Sequence, residues 1–459
     1  MTNKLFYICL MALILAGCTS REKSQPNVIF LLADDHRWDA LGCMGNQIIQ
    51  TPNIDRIANE GIIFENSYVT TSICAVSRAS ILAGQYASRT GIHDFATPFS
   101  AGALAKTYPA ILKDAGYYTG FIGKYGVGSQ PPDTLFDYWE AMCGQPRYEH
   151  FDEDSNMTHY TRIVAGNIRE FLGMTPGNQP FCLSVSFKAP HVQDGDPRQF
   201  IYDPAYKDLY VGDSIPPPLT AGDEYFEAFP EAFRINNEAR RRWELRFSDP
   251  EKYEESVRGY YRLITGIDDV VGEILHELGE LGMAENTIII YTGDNGFYLG
   301  EHGMAGKWYG HEESIRVPLI IYDPRPDNAN RGVRKAEIAL NIDIAPTLLS
   351  LCGMKIPQEM QGRDLMTLFD KKPVGWRKDF LYEHLFNPPP EVVYIPRSEG
   401  VVSANYKYLK YIDFDPLFEE CYDLRRDPYE TENLVSDPDS QALLDSLKNR
   451  YSELKQTYQ

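Results

Sequence analysis

The chain has 459 residues, with 44 lysines and arginines against 65 aspartates and glutamates, and a formal net charge of -21. This balance excludes the basic footprint on which non-specific nucleic-acid binding depends. It leaves an anionic small-molecule substrate open, because the local field of a site can oppose the net charge. The length and a hydrophobic fraction of 43% favour one large α/β domain with a small appended one, or two medium-sized domains.

Residues 1–17 have the pattern of an export signal. Lys4 precedes an apolar run that is too short to span a membrane comfortably, and small residues stand directly before Cys18. This ending is similar to a bacterial lipobox, in which the signal is removed and the cysteine is lipidated. We therefore expect an exported bacterial lipoprotein, periplasmic or at the cell surface, that contacts the membrane only through a lipid on Cys18 and a polar tether over residues 18–25. An ordinary secretory signal with an incidental cysteine is the alternative.

Apolar runs at residues 28–33, 119–123, 181–187 and 288–291 each lead into chemically active side chains. Runs of this kind are typical of strands buried on both faces of a parallel sheet. An amphipathic helical pattern covers residues 254–281. Strands that alternate with helices predict an α/β fold with a mostly parallel sheet flanked by helices, whose ligand site lies beyond the carboxyl ends of the strands. The side chains expected at that edge are Asp34, Asp35, Lys124, His191, Asp294 and Asn295.

The second half of the chain contains two further regions. Residues 192–250 are rich in aspartate, proline and aromatic residues and are interpreted as an insertion over the site, with a purely structural excursion as the alternative. Residues 400–411 resemble a β-hairpin, and a helical pattern covers residues 440–458. We therefore expect a small C-terminal antiparallel sheet with a helix. The predicted domains are the signal 1–17, the tether 18–25, a catalytic domain 26–371 and a C-terminal subdomain 372–459.

Two acidic pairs are candidate metal ligands. Asp34 with Asp35 and Asp294 with Asn295 offer oxygen ligands, which suit calcium or magnesium rather than zinc. Either pair alone would be interpreted as ordinary loop residues. Because each pair follows a predicted buried strand, we favour a metal site.

Cys74 is the candidate nucleophile. A helix is predicted to begin near residues 76–77, and a helix N-terminus stabilises anionic species. Arg78 follows four residues later, where it could pair with an oxyanion. The alternative for a lone cysteine is a small buried hydrophobic residue.

The segment Cys74 to Gly84 resembles the signature of the sulfatase family, Cys- or Ser-x-Pro-x-Arg followed by a turn similar to Leu-Thr-Gly. The resemblance extends in order over nearly the whole mature chain, at residues 27–35, 293–296, 300–307, 312–318 and 422–434. It implies an alkaline-phosphatase-like fold and the activity of a bacterial carbohydrate sulfatase.

The resemblance also implies a specific chemistry. A formylglycine-generating, sulfatase-maturing enzyme would oxidise Cys74 to formylglycine, whose hydrate is a geminal diol. One hydroxyl attacks the sulfur of a sulfated carbohydrate, and the other later expels the sulfate. Calcium would be bound by Asp34, Asp35, Asp294, Asn295 and an oxygen of the modified residue 74.

The residues around this nucleophile are expected to neutralise a sulfate ester. The ester is surrounded by negative oxygens, so that cations must position it for attack. Arg78, Lys124 and Lys307 are the candidates for this role, and His191 is the candidate that protonates the leaving alkoxide. Solvated surface lysines and a structural histidine are the alternatives.

Three positions depart from the family pattern. Val76 stands where the signature has proline, and Gly126 stands where the family often has a histidine two residues after the lysine. Gln193 replaces the second proline of a Pro-His-x-Pro form. The first two departures are what a catalytically silent glycan-binding lipoprotein would show, and that function remains an alternative, as does a phosphodiester or phosphonate ester hydrolase of the same superfamily.

Candidate sugar contacts lie beside the predicted site, and we expect exo action on a terminal or short saccharide. For Arg397 a surface salt bridge is the alternative. The candidates are His384, Arg397, Asp194 and Arg198.

Overall fold

The computed structural model describes residues 25–177, 179–325, 330–370, 375–387 and 394–459. The predicted signal, Cys18 and the tether up to residue 24 lie outside the described residues, and so does the predicted domain boundary at residue 372. In the described ranges, no helix combines the length and the apolar character needed to cross a membrane.

The strands are short except where they cross the centre of the main sheet. In chain order they are β1 (Asn27–Asp34), β2 (Ile62–Phe64), β3 (Ser67–Tyr68), β4 (Tyr118–Lys124), β5 (Tyr138–Met142), β6 (Glu149–Phe151), β7 (Met157–His159), β8 (Phe181–Pro190), β9 (Thr287–Gly293), β10 (Tyr298–Leu299), β11 (Ala305–Gly306), β12 (Leu319–Tyr322), β13 (Val333–Lys335), β14 (Ala339–Leu340), β15 (Asp379–His384), β16 (Ser398–Ser403), β17 (Tyr406–Tyr411) and β18 (Phe418–Asp423).

The helices range from a single turn to a long central helix. They are α1 (Pro52–Asn59), α2 (Cys74–Ala83), α3 (Ala87–Thr90), α4 (Ala101–Leu104), α5 (Tyr108–Asp114), α6 (Tyr160–Met174), α7 (Asp223–Glu227), α8 (Glu231–Arg234), α9 (Glu238–Arg246), α10 (Pro250–Glu280), α11 (Glu312–Ile315), α12 (Ile344–Leu351) and α13 (Gln441–Tyr458).

The main sheet confirms the predicted α/β class. In the described part of the chain its order is β13-β2-β12-β9-β1-β8-β4-β5. The neighbours β9-β1-β8-β4-β5 are parallel, whereas β12 runs antiparallel to both of its neighbours. The four apolar runs therefore become the adjacent strands β9, β1, β8 and β4, and their carboxyl ends share one edge.

Alternate residues of β1 face two different helical layers. Ile29 and Leu31 join the core that includes α6 and α10, whereas Phe30 and Leu32 join the core that includes α2, α5 and α12. This two-sided burial explains why the strand is apolar at every position and why its first charged residue is Asp34.

The C-terminal prediction is also confirmed. Strands β15 to β18 form an antiparallel four-stranded sheet, and α13 packs on it through Leu444, Leu447, Tyr451 and Leu454. The predicted hairpin corresponds to β16 and β17.

Two segments differ from the sequence-based expectation. Helix α10 begins at Pro250, because the side chain of Asp249 accepts a hydrogen bond from the Lys252 amide and caps it. The expected insertion over residues 192–250 contains helices α7, α8 and α9. Most positions of α9 are charged, so that it lacks the apolar stripe by which a helix is recognised in a sequence.

Candidate active site

The two acidic pairs meet at the carboxyl edge of the sheet. Ala33 on β1 is aligned with Gly293 on β9, and the Asp294 amide donates to the Ala33 carbonyl at 2.9 Å. The Asp35 amide in turn donates to Asp294 Oδ1 at 3.0 Å. This register places the side chains of Asp34, Asp35, Asp294 and Asn295 in one cluster, as predicted.

Asp35 has a left-handed backbone conformation with φ 65°. Aspartate tolerates this region better than most residues, but the conformation still has to be held by its surroundings. The Tyr260 hydroxyl on α10 donates to the Asp35 carbonyl at 2.7 Å and accepts from the Arg37 amide at 3.0 Å. The long helix therefore fixes the turn that follows β1.

The donor set fits a hard divalent cation. Asp34 Oδ1 and Asn295 Oδ1 are fully buried and have no hydrogen-bond partner among the described residues. Buried polar atoms are nearly always satisfied. Ligand atoms of Asp34, Cys74 and Asp294 all lie within 4.8 Å of one another. Carboxylate and amide oxygens at this spacing match the ligand preference of calcium or magnesium.

Cys74 is the first residue of α2, whereas the helix was predicted to begin near residues 76–77. Ile73 is extended and provides no side-chain cap, so that the amides of the first turn are free to face an anion. Gly84 ends the helix with φ 63°. All ten residues of α2 are buried, and Val76 packs against Ile73 in the local core.

Arg78 links α2 to β4, to β8 and to the residue that follows β9. Its Nε donates to Asp294 Oδ2 at 2.8 Å, and its Nη1 donates to the Lys124 carbonyl at 2.5 Å and to Ser186 Oγ at 2.8 Å. Nη2 lies 3.8 Å from Asp34 Oδ2 and has no hydrogen-bond partner among the described residues. This buried Nη2 is a free donor at the site.

Lys124, Lys307 and His191 converge on the first acidic pair. Lys124 Nζ donates to Asp34 Oδ2 at 2.5 Å, and Lys307 Nζ donates to Asp35 Oδ1. His191 Nε2 lies 3.6 Å from Asp35 Oδ2. All three cation-capable side chains are buried rather than solvated. The five predicted catalytic residues, Cys74, Arg78, Lys124, His191 and Lys307, thus occupy one site.

The carboxylates of the cluster have pKa values that are shifted in opposite directions. Burial would raise the pKa of Asp34, but Lys124, His191 and Arg78 together lower it well below its usual value. Burial raises the pKa of Asp294 to about 6, and the nearby charge of Asp34 adds to this. Burial also raises the pKa of Asp35, although Lys307 opposes it. Crowded carboxylates of this kind are stabilised by a bound cation.

His191 has its two ring nitrogens in different roles. Nδ1 lies 2.7 Å from the Val192 carbonyl and must therefore carry the proton, which leaves Nε2 directed towards Asp35. Burial lowers the pKa of His191 well below its usual value, although Asp34 opposes this shift. The ring is neutral near pH 7, and a bound anion would favour its protonated form.

A cavity of about 350 Å³ opens beside Cys74. Gly126, where the family often has histidine, lines it with φ 74°, and a Cβ there would lie 2.9 Å from Arg78 Cδ. Gln145 lines the same cavity, with Nε2 3.5 Å from Asp34 Oδ2. Sequence reasoning missed Gln145, because it lies in a loop without a motif.

Lys188 is a second residue that the sequence did not single out. Its Nζ donates to the Val192 carbonyl at 3.3 Å and lies 4.8 Å from the centre of the Tyr148 ring. Burial lowers its pKa to about 8, and Asp34 opposes the shift. Its position three residues before His191, at the end of an apolar run, was the available signal.

The four predicted sugar contacts have different surroundings. Asp194 is half exposed beside Arg242. Arg198 is paired with Glu149 and Asp196.

The other two lie in the C-terminal subdomain. Arg397 forms an ion pair with Asp413, which is the alternative considered for it. His384 is completely buried at the end of β15, and its expected sugar contact stays a prediction. The sequence did not indicate this burial, because His384 is the last residue of its strand.

The geometry agrees with two family models. A model described as sulfatase matches residues 26–354, and a model described as N-sulphoglucosamine sulphohydrolase, C-terminal, matches residues 300–457. The chain belongs to the sulfatase family. An N-acetylglucosamine-6-O-sulfatase of Bacteroides thetaiotaomicron is 31% identical, over 93% of this chain and 86% of that protein. This sulfatase is accordingly a sulfuric ester hydrolase.

Solved structures support the same fold. A structure in complex with its substrate D-glucosamine-2-N,6-O-disulfate has a TM-score of 0.80 and 29% identity, covering 95% of this sulfatase and 98% of that chain. A phosphonate monoester hydrolase of Agrobacterium radiobacter has a TM-score of 0.77 at 21% identity, covering 95% and 96% of the two chains. The second similarity concerns the fold alone.

Proposed function

We propose that this sulfatase removes sulfate from a carbohydrate, with a formylglycine formed from Cys74 as the nucleophile and a calcium ion held by Asp34, Asp35, Asp294 and Asn295. The observation that carries the proposal is the convergence of Cys74 with two strand-end carboxylates, with ligand atoms within 4.8 Å of one another. A structural cysteine would have no reason to lie at the uncapped start of a helix among metal ligands.

The protein's own cations bind and orient the sulfate. Lys124 and Lys307 hold the outer oxygens of Asp34 and Asp35. Arg78 retains a free buried Nη2 with which to bind an incoming oxyanion. Buried, preorganised donors of this kind stabilise developing charge without reorganisation. When bound, calcium would add positive charge at the sulfate oxygens, and the hydrate of formylglycine would supply the attacking hydroxyl.

His191 is proposed to deliver the proton to the leaving sugar oxygen. Its Nδ1 proton is fixed on the Val192 carbonyl, which leaves Nε2 as the atom that gains and returns a proton. Binding of the anionic ester offsets the burial that keeps the ring neutral. Protonation of a poor alkoxide leaving group is the usual task of such a histidine.

A 6-O-sulfated glucosamine derivative is the proposed substrate. Two relatives, at 31% and 29% identity over more than nine-tenths of this chain, are described as acting on or holding such sugars. The cavity beside Cys74, at about 350 Å³, is of the size that small-molecule sites commonly have. The clustered carboxylates and the buried cations around Cys74 disfavour a silent glycan-binding protein.

Maturation and export complete the proposal. A formylglycine-generating enzyme would have to accept Val76 in place of proline. Val76 is the third residue of α2, where a helix tolerates proline and non-proline residues alike. Lipidation of Cys18 would tether the enzyme to a membrane of an exporting bacterium.

Release of inorganic sulfate tests the function. Protein co-expressed with a sulfatase-maturing enzyme would be incubated with N-acetylglucosamine-6-O-sulfate and calcium, and sulfate measured by ion chromatography. We expect release that chelation and Cys74→Ala abolish. Turnover of a phosphonate monoester without turnover of any sulfate ester would overturn the proposal in favour of the phosphonate hydrolase alternative.

A further inference from the structure

A groove of about 670 Å³ lies beside the active site and is rich in arginine. One wall is the loop that follows His191, and the other is helix α9. Three guanidinium side chains of the helix line the groove, those of Arg241, Arg242 and Arg246.

Arg246 is a buried cation without a carboxylate partner in the described part of the chain. The residue is 1% exposed, its Nε donates to the neutral amide oxygen of Gln199 at 2.9 Å, and its Nη1 has no hydrogen-bond partner among the described residues. Its guanidinium carbon lies 5.9 Å from the centre of the Phe297 ring. A buried charge is normally paired or bound to a ligand, so that this arrangement points to an anion from outside.

The two other arginines are held by a single carboxylate. Glu238 accepts hydrogen bonds from Arg241 at 2.7 Å and from Arg242 at 2.7 Å. Arg242 Nη1 also lies 3.6 Å from Asp194 Oδ1. One buried glutamate therefore orients two guanidinium groups along the groove.

The acidic groups of the opposite wall do not cancel this charge. Asp196 is paired with Arg198. Asp194 is 53% exposed and makes only its longer contact with Arg242. Burial and then Arg242 lower the pKa of Arg246, against the opposing charges of Asp194 and Asp35, to about 9. The carboxylates present thus leave the positive charge of Arg246 uncompensated.

The groove adjoins the leaving-group side of the site. Asp194 is three residues beyond His191, the proposed proton donor to the leaving oxygen. Arg242 lies 4.9 Å from the centre of the Trp308 ring, next to Lys307. A saccharide that extends from the cavity beside Cys74 past His191 would therefore reach these arginines.

We propose that this groove, the arginine groove of Arg241, Arg242 and Arg246, binds a second anionic group of the saccharide, a sulfate or a carboxylate on the part that remains after desulfation. The proposal rests on the proposed function, since it assumes that the ester enters at Cys74. Guanidinium forks bind both oxyanions through paired hydrogen bonds. The natural substrate is then a saccharide with at least two negative groups.

Calorimetric titration of the calcium-loaded Cys74→Ala protein separates binding from turnover. The probes are N-acetylglucosamine-6-O-sulfate, glucosamine-2-N,6-O-disulfate, and a disaccharide of a uronate linked to 6-O-sulfated N-acetylglucosamine. We expect one or both probes with a second anion to bind at least about ten-fold more tightly than the first. The identity of the preferred probe distinguishes a sulfate from a carboxylate.

Substitutions in the groove test whether it causes the tighter binding of probes with a second anion. We expect the ratio of affinities to fall to less than about two-fold in Arg246→Gln and, separately, in the double variant Arg241→Gln with Arg242→Gln. The remote exposed Arg56→Gln should keep the full ratio. Circular dichroism checks the buried Arg246 variant, and the partly exposed pair keeps the test valid if that variant unfolds. Equal affinity for all probes, no saccharide binding, or an unchanged preference in the pair variant would overturn the proposal. Failure of the proposed function would appear separately, as absence of sulfate release from all three probes by the matured protein.

Discussion

Arg78 Nε donates to Asp294 Oδ2 at 2.8 Å, and this bond connects the helix that begins at Cys74 to the strand end that provides the second acidic pair. The same guanidinium reaches the Lys124 carbonyl and Ser186. One side chain therefore fixes the position of the nucleophile relative to β4, β8 and β9.

Replacement of this arginine by lysine should impair catalysis more than folding. Lysine offers a single point charge and cannot make the three bonds of the fork, so that Arg78→Lys should lower kcat/KM for sulfate release at least about 100-fold. Steady-state kinetics measure this, with the exposed Arg56→Lys as the matched control. Activity within three-fold of the parent protein would contradict the orienting role.

Removal of the metal should lower thermal stability as well as activity. Without a cation, Asp34, Asp35 and Asp294 are buried close together, and Lys124, Lys307 and Arg78 relieve part of the repulsion between the carboxylates. Calcium at about 100 times its Kd should stabilise the native state by about 2.7 kcal/mol. Differential scanning calorimetry with chelator and with added calcium tests this, and Asp294→Asn should abolish most of the difference. An unchanged Tm would contradict a metal site here.

A histidine introduced at position 126, as the family pattern would have it, should not improve this enzyme. Gly126 has φ 74°, and a Cβ would lie 2.9 Å from Arg78 Cδ and 3.3 Å from Lys124 Cε. Both Gly126→Ala and Gly126→His should therefore displace Arg78 and cost about 1–3 kcal/mol of stability. Gly144→Ala is the control, because Gly144 lines the same cavity with nothing within 4 Å of the added Cβ. Faster sulfate release by Gly126→His than by the parent protein would contradict this prediction.

Glu313 should make the stability depend on pH. Burial, together with the charges of Glu301 and Glu430, raises its pKa to about 8. A folded-state pKa above the unfolded value means that stability falls as pH rises from about 4.5 to about 8. Glu313→Gln should remove this loss and stabilise the protein at pH 8 by on the order of 1–3 kcal/mol, with no gain at pH 4.5.

The neighbouring glutamate provides a control of opposite sign. Burial would raise the pKa of Glu312, but Lys407 and Arg316 lower it overall. Its stabilisation is present above the unfolded pKa and is lost as pH falls, so that Glu312→Gln should destabilise the protein at pH 8. Thermal unfolding from pH 4.5 to pH 8 distinguishes the two, and equal effects of both substitutions would contradict the assigned burial of Glu313.

The sequence predicted those site residues that directly follow a long apolar run. Asp34 and Lys124 could be predicted in this way, because a strand buried on both faces is apolar throughout and its first polar residue marks its carboxyl end. Gln145 was not predicted, since it lies in a loop. Lys188 also follows an apolar run, at residues 181–187, but His191 was chosen instead, and the burial of Lys188 is visible only in the structure. Long-range packing decides both positions.

Burial and pairing were the other limits of sequence reasoning. The burial of His384 at the end of β15 was not predicted. Arg246 was not singled out, because a charged helix such as α9 shows no periodic apolar face, and its missing partner is visible only when the neighbours are in place. Contacts between segments far apart in the chain determine both environments.

The most direct test of the central claim is the mass of the peptide that contains residue 74, taken from protein co-expressed with a sulfatase-maturing enzyme. The account predicts formylglycine at position 74 in the parent protein, and at least as much in Val76→Pro, whose substitution falls in the first turn of α2. An unmodified cysteine in both proteins, under conditions that convert a control sulfatase, would contradict it.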